Sequence, residues 1–478
     1  MNDNLDHLIS RRSALRKGAC AALGLAGLSS QLLSTRTVAA ALQGQMFSDY
    51  KALVCIFLFG GNDSGNTLIP IDGGNQNHAD YALGRGNLAI PLAQLGSTTI
   101  APANTAGRRF ALHPSLTGTK TLFDQGNVAV VANVGTLLAP TTRMQYFNRS
   151  VALPTQLFAH EIQQQQWQLS RPDALDGFGW GGRLADMLQA SGIATRPSVS
   201  MNISIAGVNQ FQSGRAVSTY VLGDDGPPRL SDLPGLETAY LDMLAAGADS
   251  AQPNRHAMER SVRDLTSRAI TNNSIVRDVL SGASRVPAAP VGNGLARQLQ
   301  TVAQLIEVGQ TGLGHTRQVF FVAAGGFDNH DGLIGPNGVG GPHAGLLNMV
   351  DSALMYFWAA LGQINRRDAV TTFTASDFGR TFNSNGNGSD HGWAGHHFVM
   401  GGSQVRGGRL YGSFPNIQID GPEDTGLGRF IPSTSVDQYG FELARWMGVP
   451  LSEMPTVFPN IMRFLDPKNP ETQLRFMN

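Results

Sequence analysis

The order of hydrophobic and polar positions along the chain predicts buried strands that alternate with amphipathic helices. Continuous apolar, β-branched runs of strand length mark buried strands of a parallel sheet at residues 52–59, 128–134, 318–322 and 369–374. Weaker runs occur at residues 198–206 and 217–222. Helical periodicity is clear at residues 295–308, 344–361 and 436–447. This alternation favours an α/β fold over a sandwich of antiparallel sheets.

The long helical pattern at residues 344–361 lies between two strand patterns, so the three segments predict a right-handed βαβ unit. Residues 207–290 are less regular and become rich in Pro, Ala and Gly, and we interpret them as an insertion or cap. We therefore expect one α/β domain over residues 50–478, with a mostly parallel central sheet flanked by helices.

The first 41 residues have the pattern of an export signal rather than of a folded element. Arg11 and Arg12 form a twin-arginine pair, an apolar stretch follows from Gly18 to Leu33, and small residues suited to signal-peptidase cleavage end the segment. This order predicts export by the twin-arginine machinery to the periplasm or beyond the cell. The apolar stretch is Gly-rich and short, so we expect no stable membrane span in the mature chain.

Composition narrows the range of functions. The 478 residues include 35 Lys or Arg and 35 Asp or Glu, and this zero net charge provides no electrostatic footprint for nucleic acid. Cleavage of the signal would remove Cys20 and leave only Cys55, which excludes an intramolecular disulfide and a thiolate zinc site. Cys55 lies in a buried-strand pattern, so we expect it to be a small core residue.

Polar clusters follow the predicted strands at the point where each strand ends. They contain Asp63, then Asp328 with His330, then Asp377 with Arg380, and then Asp390 and His391 followed by His396 and His397. Because α/β folds bind ligands at the carboxyl ends of parallel strands, these carboxylates and imidazoles predict a site for a divalent metal ion such as Zn or Mn. Turn chemistry also explains any one cluster alone, since Asp and Asn favour turns.

Two other side chains have alternative interpretations. The guanidinium fork of Arg380 fits a phosphate or sulfate group, but the same fork would pair with Asp377 or Asp390. His160 either lines the cleft or is an exposed residue of a surface helix, and we favour the surface helix.

Four motifs resemble those of the exported bacterial family called domain of unknown function 1501: Phe57–Asp63, Gly325–His330, Ser376–Arg380 and Asp390–Gly392. That family is similar to the alkaline phosphatase and sulfatase superfamily. The resemblance implies an alkaline-phosphatase-like sandwich with two divalent ions (Zn, Mn or Ca) that activate a nucleophile and hold a phosphoryl or sulfuryl group. It also implies that one ion is shared by Asp63 and Asp377, and that the other is bound by Asp328, His330 and either His391 or His397.

The sequence offers several candidates for the nucleophile and does not decide among them. Superfamily members carry Ser, Thr or a modified Cys at a helix start after an early strand, and Thr142 or its neighbour Thr141 has that position here. Ser64 is a rival because it adjoins Asp63. A Thr at a helix start is equally an ordinary N-cap, and no sulfatase-type Cys-x-Pro-x-Arg segment occurs.

These residues predict an exported metal-dependent hydrolase of phosphate or sulfate esters. Its substrate would be a small anionic ester or an anionic polymer, with Arg380 holding the anion. The alternative is a non-catalytic member of the fold that binds a polymer or a protein partner in the cell envelope. This alternative is favoured because no residue is assigned as the nucleophile.

Overall fold

The computed structural model describes residues 49–73, 76–175, 177–227, 235–246, 257–335 and 338–478; the predicted export signal, with Cys20, lies outside them. The described strands are β1 (Lys51–Leu58), β2 (Leu68–Pro70), β3 (Thr99–Ile100), β4 (Phe110–Leu112), β5 (Val128–Gly135), β6 (Asn202–Ser204), β7 (Tyr220–Val221), β8 (Arg317–Ala324), β9 (Val370–Ser376), β10 (Gly395–Met400), β11 (Leu410–Tyr411) and β12 (Thr434–Ser435). The described α-helices are α1 (Ser64–Thr67), α2 (His78–Arg85), α3 (Thr117–Asp124), α4 (Arg143–Asn148), α5 (His160–Leu169), α6 (Trp180–Ala190), α7 (Leu236–Ala246), α8 (Ala257–Leu280), α9 (Gly294–Gly309), α10 (Pro342–Gln363), α11 (Val436–Met447) and α12 (Met454–Val457).

The main sheet is mostly parallel, with β1 between β8 and β9 at its centre. Its strand order is β11-β5-β10-β9-β1-β8-β6-β7, and β12 pairs with β5 beside β11. Within the described strands of this sheet, β10 alone runs antiparallel to its neighbours, β5 and β9. Strands β2, β4 and β3 form a separate small antiparallel sheet.

Both faces of the sheet are covered by helices. Along β1, Val54 and Ile56 pack into one apolar cluster with α9 and α10, whereas Cys55 and Phe57 pack into another with α6 and α11. Because side chains alternate across a strand, residues 52–58 of β1 must all be apolar to be buried on both faces. The prediction of an α/β fold with a mostly parallel sheet flanked by helices is confirmed, and Cys55 is a buried core residue as expected.

Helix α10 crosses from β8 to β9 as the βαβ pattern predicted. By length and composition it is the one helix of the described residues that is apolar enough to cross a membrane. Its most apolar window is 61% buried within the protein, and α10 packs against α9 and α3. These contacts are those of a core helix.

In two regions the structure differs from what the sequence patterns indicated. The region interpreted as a less regular insertion contains α7 and the 24-residue helix α8 in its described part. His396 and His397, grouped with a polar loop in the sequence, lie in the buried strand β10. Both faces of β10 are covered, so an imidazole on either face is surrounded by the core.

Candidate metal centre

Four side chains from three separated segments converge beyond the carboxyl ends of β8 and β9. One nitrogen from each of His160, His330 and His391 and one carboxylate oxygen of Asp328 lie within 4.8 Å of one another. In the described part of the chain, this is the one group of three or more His, Cys, Asp or Glu side chains within such reach. Three of these four residues were predicted from the sequence as metal ligands.

Asp328 and His330 reach the site because the turn after β8 packs directly on the turn after β1. Phe59 N donates to Ala324 O and Phe327 N donates to Phe59 O, which extends the pairing of the two strands. At Gly60, whose φ is +112°, a Cβ atom would lie 2.5 Å from the backbone nitrogen of Asp328. Only glycine permits this approach.

His391 reaches the site through a loop that folds back after β9. Arg380 and His391 form an antiparallel bridge, and Thr381 N donates to Asp390 O at 2.8 Å. These contacts hold the loop in its folded-back position. Asp390 and His391 therefore lie beside the turn that carries His330.

His160 is the first residue of α5, and Asp377 holds its ring. Asp377 is fully buried, and its Oδ2 accepts hydrogen bonds from His160 Nδ1 (2.8 Å), Gln164 Nε2 (2.8 Å) and Gly60 N (3.0 Å). Asp377, expected to be a ligand itself, thus orients a ligand and connects α5 to β1 and β9.

The tautomer of each imidazole follows from the partner of its Nδ1 atom. His391 Nδ1 lies 2.6 Å from the carbonyl oxygen of Phe158, which only accepts hydrogen bonds. His330 Nδ1 lies 2.9 Å from Asp390 Oδ1, and His160 Nδ1 contacts the Asp377 carboxylate. All three Nδ1 atoms therefore donate, so each neutral ring presents a bare Nε2 lone pair to the site.

The distances from Asp328 Oδ1 to the three imidazole Nε2 atoms fit one tetrahedral ion. Asp328 Oδ1 lies 3.3 Å from His160 Nε2, 3.0 Å from His330 Nε2 and 3.5 Å from His391 Nε2. Ligands bound at about 2.0–2.1 Å in a tetrahedron are themselves about 3.3 Å apart. Metal-bound imidazoles also donate their other N–H to a carboxylate or carbonyl, as all three do here. His160 Nε2 is buried without any hydrogen-bond partner, and a metal cation would bind its lone pair.

Arg380 fixes the position of Asp328. Its buried guanidinium donates from Nη1 to Asp328 Oδ1 (2.7 Å) and Gly60 O (2.9 Å), and from Nε to Ser389 O (3.0 Å). Nη2 also donates to Ser389 O. The expected role in holding a substrate anion would compete with these bonds, so this placement favours a positioning role.

Neighbouring groups and burial shift the pKa values of three members of the cluster. Burial alone would raise the pKa of Asp328, but the hydrogen bond and charge of Arg380 outweigh it and the pKa is lowered. The hydrogen bond to Asp377 raises the pKa of His160 against the effect of burial. Burial lowers the pKa of His391, which favours its neutral, ligating form.

Asp63 and Ser64 lie outside this cluster. Asp63 Oδ2 accepts from Arg85 Nη2 at 2.5 Å, and both side chains are fully buried. Asp63 Oδ1 has no hydrogen-bond partner. The Ser64 hydroxyl is buried and accepts a hydrogen bond from His396 N at 2.9 Å. The second ion implied for Asp63 and Asp377 stays a prediction.

The other sequence candidates are engaged elsewhere. Thr142 Oγ1 accepts from Gln145 N as the N-cap of α4, in a complete capping box. Thr141 Oγ1 donates to Ala139 O at 2.9 Å. His397 is buried with its ring stacked on Tyr439, and it does not belong to the cluster.

His160 is the candidate ligand that was not predicted from the sequence, because we favoured a surface helix for it. The signal was present in the composition of α5, where Gln163, Gln166 and Gln168 are buried together with Trp167. These three amides form hydrogen bonds with the backbone of neighbouring loops, and Gln164 is the amide of α5 that reaches the site, where it donates to Asp377 Oδ2.

Comparisons with known proteins agree with the motifs. Residues 50–425 match the family described as "Protein of unknown function (DUF1501)". A search of curated proteins finds no match. Solved structures with similarity include Ps i-CgsB in complex with k-i-k-neocarrahexaose (12% identity, TM-score 0.34, 88% of this chain and 78% of that chain). Another is the PsFucS1 sulfatase from Pseudoalteromonas sp. (12% identity, TM-score 0.32, 88% of this chain and 73% of that chain). Similarity this low carries no argument about function, so the function is argued from the residues of the site.

Proposed function

The chain belongs to the DUF1501 family of proteins of unknown function, and we propose that it is a metal-dependent hydrolase of phosphate or sulfate esters. The observation that carries this proposal is the convergence of three bare imidazole Nε2 atoms on Asp328 Oδ1. When bound there, a divalent ion supplies a Lewis acid for an ester oxygen and lowers the pKa of water. Three nitrogen ligands and one oxygen ligand suit Zn or Mn better than Ca.

In this proposal the protein holds the ion rigidly with four ligands, and water or a substrate oxygen would enter as a fifth ligand. Asp377, Asp390 and the Phe158 carbonyl fix the three imidazole rings, and Arg380 fixes Asp328. The side chains of His330 and Asp328 are 43% and 45% exposed, so a substrate approaches from their side.

We propose that water is the attacking group. The hydroxyls of Ser64, Thr141 and Thr142 are engaged in the backbone contacts described above, and none belongs to the cluster. In-line attack by water on phosphorus or sulfur needs no side-chain nucleophile. The twin-arginine pattern supports the further proposal that the reaction takes place in the periplasm or outside the cell.

The test is a screen of aryl phosphate and aryl sulfate esters with the full chain loaded with Zn²⁺ or Mn²⁺. We expect turnover of at least one ester class, and its loss in Asp328→Asn, which keeps the shape of the side chain but removes its charge. Thr142→Ala is the matched control and should retain turnover. Metal binding without turnover of any ester would contradict the hydrolase and favour the alternative, a binding protein of the cell envelope.

A further inference from the structure

A second charged surface lies far from the metal centre, and we call it the arginine groove. It consists of two adjoining concavities of about 270 and 660 Å³ that share Arg406 and Arg475. Five cations and no Asp or Glu line the two concavities: Arg406, Arg409, Arg445, Lys468 and Arg475. In a chain whose formal net charge is zero, this concentration of one sign is a local feature.

The groove and the metal centre lie at opposite ends of the parallel strands of the main sheet. Gly126 and Arg409 line its larger concavity, next to Val128, where β5 begins. Strand β5 runs in the same direction as β9, because β10 is antiparallel to both. The metal centre follows the carboxyl end of β9, so a strand length of roughly 25 Å separates the two sites.

A buried carboxylate positions two of these arginines. Glu442 is fully buried; its Oε2 accepts from Arg445 Nη2 at 2.9 Å and its Oε1 accepts from Arg475 N at 2.9 Å. Arg475 is held at φ +60°, a left-handed conformation that costs a non-glycine residue free energy. The fold therefore maintains Arg475 in this position despite local strain.

The guanidinium groups of Arg409 and Arg475 are available to a ligand. Arg409 and Arg475 are exposed, and neither side chain has a hydrogen-bond or ion-pair partner within the described residues. Arg406 and Arg445 are already engaged, because Arg406 Nε donates to Asn478 Oδ1 and Arg445 Nη2 donates to Glu442 Oε2. Four of the five cations are arginines, whose planar fork matches the oxygens of sulfate and phosphate groups.

We propose that the arginine groove binds a linear polyanion with sulfate or phosphate groups, independently of the metal centre. Two linked concavities suit a chain with successive anionic groups better than a flat membrane surface. The aromatic side chain that lines the groove, Tyr411, is 9% exposed and directs its hydroxyl to Arg406 O, so it gives no platform for stacking nucleic-acid bases.

The test is calorimetric titration of the full chain with low-mass dextran sulfate, with unsulfated dextran as the ligand control. We expect the chain to bind dextran sulfate but not unsulfated dextran. The affinity should fall as ionic strength rises. The double variant Arg409→Gln/Arg475→Gln should lose about tenfold in affinity. Arg196→Gln/Arg215→Gln removes the same charge from exposed positions outside the groove and should leave the affinity unchanged.

Three results would overturn the proposal. The first is equal affinity in the groove variant and the native chain. The second is binding of anionic phospholipid vesicles or single-stranded DNA without binding of dextran sulfate. The third is a loss of affinity in His330→Ala, which would place the polymer at the metal centre. Retained affinity in His330→Ala supports a separate groove, whether or not the metal centre hydrolyses esters.

Discussion

The Nε2 atoms of His330 and His391 lie 2.8 Å apart, although both rings already donate from Nδ1. Two bare lone pairs at this distance repel each other unless a cation lies between them. A single proton would satisfy this pair, but it would leave His160 Nε2 without a partner. A metal ion satisfies all three rings and Asp328 together.

The hydrogen bond between Asp390 and His330 should determine metal affinity without a direct contact to the ion. Asp390→Ala removes the acceptor that orients the His330 ring at 2.9 Å. We expect Zn²⁺ affinity, measured by competition with a chromogenic chelator, to fall about 10–100-fold. Asp331→Ala removes an exposed neighbouring carboxyl that holds no imidazole, and an equal loss in this control would contradict the argument.

Thr142 should act as a helix cap and not as a nucleophile. Thr142→Ala deletes the hydroxyl that accepts from Gln145 N, so thermal or denaturant unfolding should show a loss of about 1 kcal/mol. Thr142→Ser keeps the capping oxygen and should restore the stability. Loss of bound metal or of ester turnover in Thr142→Ala, with the fold intact, would return Thr142 to the active site.

We expect the role of Asp63 to be that of the buried ion-pair partner of Arg85. Arg85→Met leaves the Asp63 carboxylate buried without its cation, and we expect the free energy of unfolding to fall by about 3–5 kcal/mol. In Asp63→Asn/Arg85→Met no charge is stranded, so most of this loss should be recovered. The double variant should also keep its bound metal; loss of the metal would identify Asp63 as a ligand.

Asp437 should make stability depend on pH. Burial raises the pKa of this carboxyl to about 7, against the opposing charge of Arg183. The unfolded chain loses this proton near pH 4, so between about pH 4 and about pH 7 the folded state binds more protons. The free energy of unfolding therefore falls over this range as pH rises, by up to about 4 kcal/mol, and is level above it.

Asp437→Asn should remove this pH dependence and raise the stability above pH 7. Denaturant unfolding at a series of pH values measures both effects. Asp225→Asn changes an exposed carboxyl and serves as the control. A slope between these pH values that is the same in native and Asp437→Asn chains would contradict the assignment.

The sequence predicted the parallel sheet and most of the metal cluster because both follow from local patterns. Runs such as Leu53–Leu58 can be buried only between two layers, and Asp328 and His330 follow directly after such a run. His160 was missed because α5 lies far from β8 along the chain, and the amide-rich sequence of α5 indicates a polar environment without indicating which one. Asp377 was expected to contact the ion, and Arg380 was expected to contact the substrate. Their partners in the structure could not be predicted, because the partner of a buried polar group depends on how the chain packs around it.

The most direct test of the metal centre is the metal content of the purified full chain, measured by inductively coupled plasma mass spectrometry after loading with Zn²⁺ or Mn²⁺ and desalting. We predict that the native chain retains an equimolar amount of metal and that His330→Ala/His391→Ala retains almost none, while Thr142→Ala retains as much as the native chain. No retained metal in the native chain, or undiminished metal in the double-histidine variant, would contradict the proposed centre.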